Sequence, residues 1–143
     1  LAQVSELIKE VEFICCDFKE AFKNINKGKG KFRLKNNNIT HSVPHFVYLD
    51  PPYVPQVGTD GKNEKSFVGY TKYGFGITEH NNLFELIKEL PNKEIKFALS
   101  NAKVKLVLDS FKGYKIQEIV CRRAINAKNP EATTIEVIIT NNE

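Results

Sequence analysis

Methionine and tryptophan are absent from these 143 residues, and cysteine occurs only three times, at positions 15, 16 and 121. Translation starts on methionine, so a chain opening on Leu1 is expected to be a piece of something longer, cut at its amino terminus. Adjacent Cys15 and Cys16 with a distant Cys121 make neither an even disulfide set nor the C-x-x-C pairs of a zinc site. They are expected to be buried thiols in a reducing compartment. Long apolar runs are lacking too: none approaches the ~20 residues that span a bilayer, and the basic, apolar, small-residue order of a signal peptide is missing. A cytoplasmic location follows as the expectation, with no membrane partner. Internal repeats and low-complexity tracts are absent apart from short Lys/Gly and Asn runs. What remains is 41% hydrophobic and 27% charged, which excludes a disordered tail and suffices for one globular core. A net charge of +4 permits a nucleic-acid partner without requiring one.

Hydrophobic spacing orders the elements. Val4, Leu7, Ile8 and Val11 form the stripe of an amphipathic helix about three turns long. The apolar run at 13–16 suits a strand buried on both faces of a sheet. Asp17 then caps a helix carrying Phe18, Ala21, Phe22 and Ile25. Residues 26–44 are a basic insertion, with Lys27, Lys29, Lys31, Arg33 and Lys35 among glycines and asparagines, and read as a loop or mobile hairpin. A second buried strand at 46–49 ends where Pro51 and Pro52 can donate no ladder hydrogen bonds. After a long connection at 54–77, Thr78 can cap a helix with Leu83, Leu86, Ile87 and Leu90 on one face, ended by Pro91. A strand at 95–99 leads to Ser100-Asn101, and Val104, Val107, Leu108 and Phe111 mark another helix, closed by Gly113 in a left-handed cap. Strands at 116–120 and 135–139 have no crossover helix between them and so should pair antiparallel.

The predicted fold is an open α/β sheet with helices on both faces, mostly parallel, carrying an antiparallel carboxyl-terminal hairpin. Ligands of such sheets bind outside the carboxyl ends of the strands. Asp17, Asp50 and Ser100-Asn101 all fall at such ends.

Asp50-Pro51-Pro52-Tyr53 carries the chemistry. The proline rings fix the backbone so that carbonyls freed from the sheet point beside the Asp50 carboxylate, a rigid cluster of acceptors. Tyr53 adds a flat aromatic face. A planar ligand with an exocyclic amine would satisfy both, donating two hydrogens while its ring stacks on the phenol. The plainer alternative is a proline turn with a capping Asp and a packed Tyr.

Phe46-Val47-Tyr48-Leu49-Asp50-Pro51-Pro52-Tyr53 followed by Val54-Pro55 resembles the catalytic motif of the Dam-like N6-adenine DNA methyltransferases. Phe13-Ile14-Cys15-Cys16-Asp17-Phe18 is similar to that family's preceding segment, Ser66-Phe67-Val68-Gly69-Tyr70 with Phe75 to its aromatic loop, and Leu99-Ser100-Asn101 to its next strand end. Cys121-Arg122-Arg123-Ala124-Ile125 and Ile135-Glu136-Val137-Ile138-Ile139 resemble its last two strands. The likeness covers nearly the whole chain in the family's order. It implies a Rossmann-like methyltransferase sheet, incomplete at the amino terminus, and methyl transfer from S-adenosylmethionine to N6 of an adenine flipped out of duplex DNA. By the same resemblance, Asp17, Phe18 and Asp50 would bind the cofactor. Asp50 and the Pro51 carbonyl would accept the amine protons beside Pro52, and Tyr53 would stack on the base.

Phe67, Tyr70 and Phe75 would then close over the base or wedge at the duplex, or else pack together to hold their loop. Lys31, Arg33 and Lys35 belong to a run that either contacts phosphates or is simply solvated. Asp17 serves equally as a plain helix cap. Arg122 and Arg123 alternate faces, so at most one points to the cleft. His41, His45 and His80 have no ligand spacing, and no metal is expected. The family's glycine-rich cofactor motif and target-recognition region have no counterpart here, since Gly28 and Gly30 sit in the basic loop. Residues 1–143 are therefore expected to be the carboxyl-terminal part of one catalytic domain, weak in cofactor binding and inactive alone, with the missing amino-terminal half as a partner. The alternatives are a non-catalytic nucleic-acid-binding or regulatory remnant, or a methyltransferase acting on RNA or a protein amide.

Overall fold

The computed structural model describes residues 2–9, 11, 13–26, 31–32, 41–42, 46–55, 74–91, 94–122 and 133–141. Helix α1 spans Ala2–Leu7 and α2 spans Phe18–Asn26. The short strands β1 (Lys31–Phe32) and β2 (His41–Ser42) pair antiparallel, so the basic insertion contains a small hairpin. Then follow β3 (Phe46–Leu49), α3 (Ile77–Lys88), β4 (Lys96–Ala102), α4 (Lys105–Ser110), β5 (Lys115–Arg122) and β6 (Thr133–Thr140).

The main sheet has four strands in the order β3-β4-β6-β5. β3 runs parallel to β4, while β6 is antiparallel to both β4 and β5. The hairpin expected from the missing crossover helix is thus present. This sheet has one parallel pair and two antiparallel ones, where a mostly parallel sheet was expected. The difference comes from residues 13–16, which make no ladder with any described strand: Phe13 is 79% exposed, and Cys15 and Cys16 are exposed rather than buried. An apolar tetrapeptide becomes a strand only when an edge receives it, and none of the described strands pairs with this one. The stripe on α1 is likewise exposed among the described residues, Leu7 by 80%.

Alternation along the strands puts Phe97, Leu99, Val137 and Ile139 on one face, all fully buried. Against this face pack Leu83, Phe84 and Ile87 of α3 and Val107 of α4. Phe111, just after α4, joins the layers, its ring 5.1 Å from Phe84 and 6.4 Å from Phe97. On the opposite face Phe46 and Tyr48 are exposed, so β3 is not buried on both sides, and the expected second layer of helices is not among the described residues.

Local chemistry sets the helix ends. Asp17 caps α2 as expected, its Oδ1 accepting from the Lys19 amide at 2.8 Å. α3 is capped two residues before Thr78: Gly76 is the cap, and Glu79 reaches back to accept from the Gly76 amide at 2.9 Å. Gly113 has φ +96° and open space where a Cβ would stand. Gly113→Ala should therefore cost about 1 kcal/mol through backbone strain alone, read as a lower urea midpoint with an unchanged slope.

Candidate active site

The site forms where β3 stops. Leu49 is the last residue of β3 paired with β4, opposite Leu99, because prolines follow at once. β4 continues to Ala102, and its side chains take over the bonding that the ladder can no longer provide. Ser100 and Asn101 therefore lie inside the strand, not beyond its end. The Ser100 hydroxyl donates to Asp50 Oδ1 at 2.6 Å and lies 3.3 Å from the Leu49 carbonyl. Asn101 Oδ1 accepts from the Val54 amide at 3.0 Å and from the Ala102 amide at 2.9 Å. Asp50-Pro51-Pro52-Tyr53 is thus pinned at both ends by consecutive residues of one strand.

Tyr53 is half-buried and its hydroxyl donates to Glu136 Oε2, on β6, at 3.1 Å. Burial is the main reason its phenol is pushed up to about 12; the nearby Ser100 hydroxyl opposes this, while the Glu136 and Asp50 charges add to the rise. The Cys121 thiol is raised as well, by burial first and then by Glu136.

Beside the motif opens a cavity of about 630 Å³, within the ordinary range for small-molecule sites. Its walls bring together the ends of three elements: Asp17, Phe18 and Phe22 from α2, Asp50 with Pro51 and Pro52 after β3, and Phe75, Glu79 and Leu83 around the start of α3. Asp17, Phe18 and Asp50, singled out as cofactor-binding candidates from sequence, thus share one hollow. Tyr53 is not part of its lining. Phe75, expected on a loop over the base, is instead 7% exposed and packed 5.7 Å from Phe18 and 4.8 Å from His80, in the wall of the same cavity. Phe67, Tyr70, Arg33 and Lys35 lie outside the described residues, as does Arg123; Lys31 is in β1 but its side chain is not described. Among the described residues, no cluster of three His, Cys, Asp or Glu side chains could hold a metal, and no helix is long and apolar enough to cross a membrane.

Three residues escaped the sequence reading. Glu136 sat in an apolar strand and was given no role, although a lone carboxylate between Ile135 and Val137 is itself a signal. Glu79, in the first turn of α3, was not singled out from sequence as a site residue. His80 is fully buried, neither ring nitrogen having a partner among the described residues. Burial lowers its pKa, with the Glu79 charge opposing. The fold keeps the imidazole neutral while the unfolded chain protonates it below about pH 6.5. Stability should then be insensitive to this group at neutral pH and fall as pH drops through that value. Urea unfolding at about pH 7 and pH 5 should show the loss, and His80→Leu should shrink it.

A model of the D12 class N6 adenine-specific DNA methyltransferases matches residues 1–125. The chain belongs to that family. It is 30% identical over 129 residues to the type II methyltransferase M.MjaIII of Methanocaldococcus jannaschii, covering 90% of this chain and 37% of that protein. It is 28% identical over 120 residues to the DNA adenine methylase of Haemophilus influenzae, covering 83% and 34%. With the type II methyltransferase M1.LlaDCHI of Lactococcus lactis subsp. cremoris it shares 34% identity over 97 residues, covering 67% and 32%. The chain thus spans about a third of these relatives' length. Membership in the D12 family agrees with the resemblance carried by Asp50-Pro51-Pro52-Tyr53.

Proposed function

We propose that the protein carrying these residues transfers a methyl group from S-adenosylmethionine to N6 of a flipped adenine in DNA. The observation that carries this is the shared hollow: Asp50, fixed by Ser100 at 2.6 Å, stands in the wall of the cavity that Asp17 and Phe18 also line. The donor set fits the cofactor. Asp17, Asp50 and Glu79 supply carboxylates suited to a cationic ligand, and Phe18 and Phe75 supply faces for a purine.

When bound, S-adenosylmethionine supplies an electrophilic methyl on a positively charged sulfur. The protein's task is to present the amine. Adenine N6 shares its lone pair with the ring and is a poor nucleophile until acceptors draw its protons out of the ring plane. Ser100 occupies Asp50 Oδ1, which leaves Oδ2 and the Pro51 carbonyl to take the two N–H groups. Tyr53 stacks on the extruded ring, offsetting part of the few kcal/mol lost on unstacking. Transfer then depends on alignment more than on a strong base.

Calorimetric titration of S-adenosylhomocysteine into the full natural chain tests the cofactor half of the proposal. Asp17→Asn keeps the cap on α2 and removes the charge, and should weaken binding about tenfold, the worth of a charge-assisted hydrogen bond. The 143-residue chain should bind more weakly than the full one. Binding indifferent to Asp17 and Phe18 would contradict the assignment.

A further inference from the structure

We propose that Ser100 and Glu136 are positioning residues for the transfer, holding Asp50 and Tyr53 in register with each other from one face of the sheet. The inference rests on the proposal that Asp50 and Tyr53 hold the target base.

The sheet itself carries the geometry. Ala102 pairs with Glu136 and Ser100 with Ile138, so alternation places Ser100 and Glu136 on the same face, one step apart along the strands. Asn101 points to the opposite, core face and grips only backbone, at Val54. The turn therefore straddles the rim of the sheet, with its backbone tied from the core side and its two functional side chains tied from the other. Ser100 decides which oxygen of Asp50 is left to accept an amine proton, because its hydroxyl engages Oδ1. Glu136 decides the plane of the Tyr53 ring, since one hydrogen bond at the phenol oxygen restricts how the ring can swing.

Stability alone does not favour this arrangement. Glu136 is a half-buried carboxylate flanked by Ile135 and Val137, and among the described residues its hydrogen-bond partner is the neutral Tyr53 phenol. Removing a carboxylate from water for such a partner gains little for the fold. It gains orientation for a ring that must lie parallel to a base.

The test uses the full natural chain and the variants Ser100→Ala and Glu136→Gln, with Asp50→Ala as control. Steady-state methyl transfer to duplex DNA is measured together with thermal unfolding. The phenol titrations are followed by fluorine NMR on chain labelled with 3-fluorotyrosine, with Tyr53 assigned by Tyr53→Phe. Both variants should lose about 10–100-fold in kcat, with cofactor KM and unfolding temperature close to wild type. The Tyr53 titration should move down in Glu136→Gln, which removes the charge facing the phenol. Wild-type kcat in both variants, or a Tyr53 titration indifferent to Glu136, overturns the proposal. Should the wild type transfer no methyl group, or Asp50→Ala transfer it normally, the reading of the site fails instead. The titrations then decide alone: a downward shift in Glu136→Gln supports the clamp, and no shift refutes it.

Discussion

On the proposed function, Asp50→Ala should lower kcat for methyl transfer about 10²–10³-fold, the scale seen when one preorganised polar group facing a reacting atom is removed. The effect falls on rate because Asp50 contributes little to the fold. Its side chain is exposed at the mouth of the cavity, and its described bond is the single one from Ser100. The unfolding temperature should therefore stay near that of the wild type, while the amine loses the acceptor that turns its protons out of the ring plane. Asp50→Asn keeps shape and one acceptor oxygen but surrenders the charge, and should fall between the two. Steady-state kinetics on duplex DNA beside thermal melts checks both halves. A variant that loses rate only in proportion to its loss of folded protein would contradict the assignment.

The second large effect is on the core. Phe111 is fully buried, with ring neighbours Phe84 at 5.1 Å, Tyr114 at 5.6 Å and Phe97 at 6.4 Å. Phe111→Ala should cost about 3–5 kcal/mol, from lost burial and the cavity left among rings that cannot collapse onto it. Small domains have only about 5–15 kcal/mol in all, so the 143-residue chain should lose a large share of its stability. Phe97 lies on the strand that also carries Ser100 and Asn101, so loss of this packing reaches the site through β4. Phe111→Leu, which refills most of the space, should cost far less. Urea unfolding of both variants checks the order.

The motif strand was legible residue for residue: the apolar run at 46–49 is β3, and the prolines end it for the reason that sequence supplies, a missing donor. The terminal hairpin was legible because no helix pattern separates its strands. The segment at 13–16 was misread because a short apolar run announces hydrophobicity and not a ladder partner. Gly76 was missed as a cap because it has no side chain to signal with; the clue was Glu79, placed to reach back. The sequence brought Asp17 and Asp50 together by placing both at strand ends; they do share the cavity, although Asp17 follows a segment that is no strand and is instead the cap of α2. Glu136 could not be joined to Tyr53, since that contact spans 83 positions and depends on how β6 registers with β4.

The most direct measurement is the product of the reaction. The full natural chain is incubated with methyl-tritiated S-adenosylmethionine and, separately, duplex DNA, RNA and a glutamine-containing peptide; the labelled material is then digested to its components. Label should appear in DNA as N6-methyladenine, and not when Asp50 is alanine. Label in RNA or peptide instead, at N4 of cytosine, or in none of the three would contradict the proposal that Asp50 and Tyr53 present adenine to the cofactor.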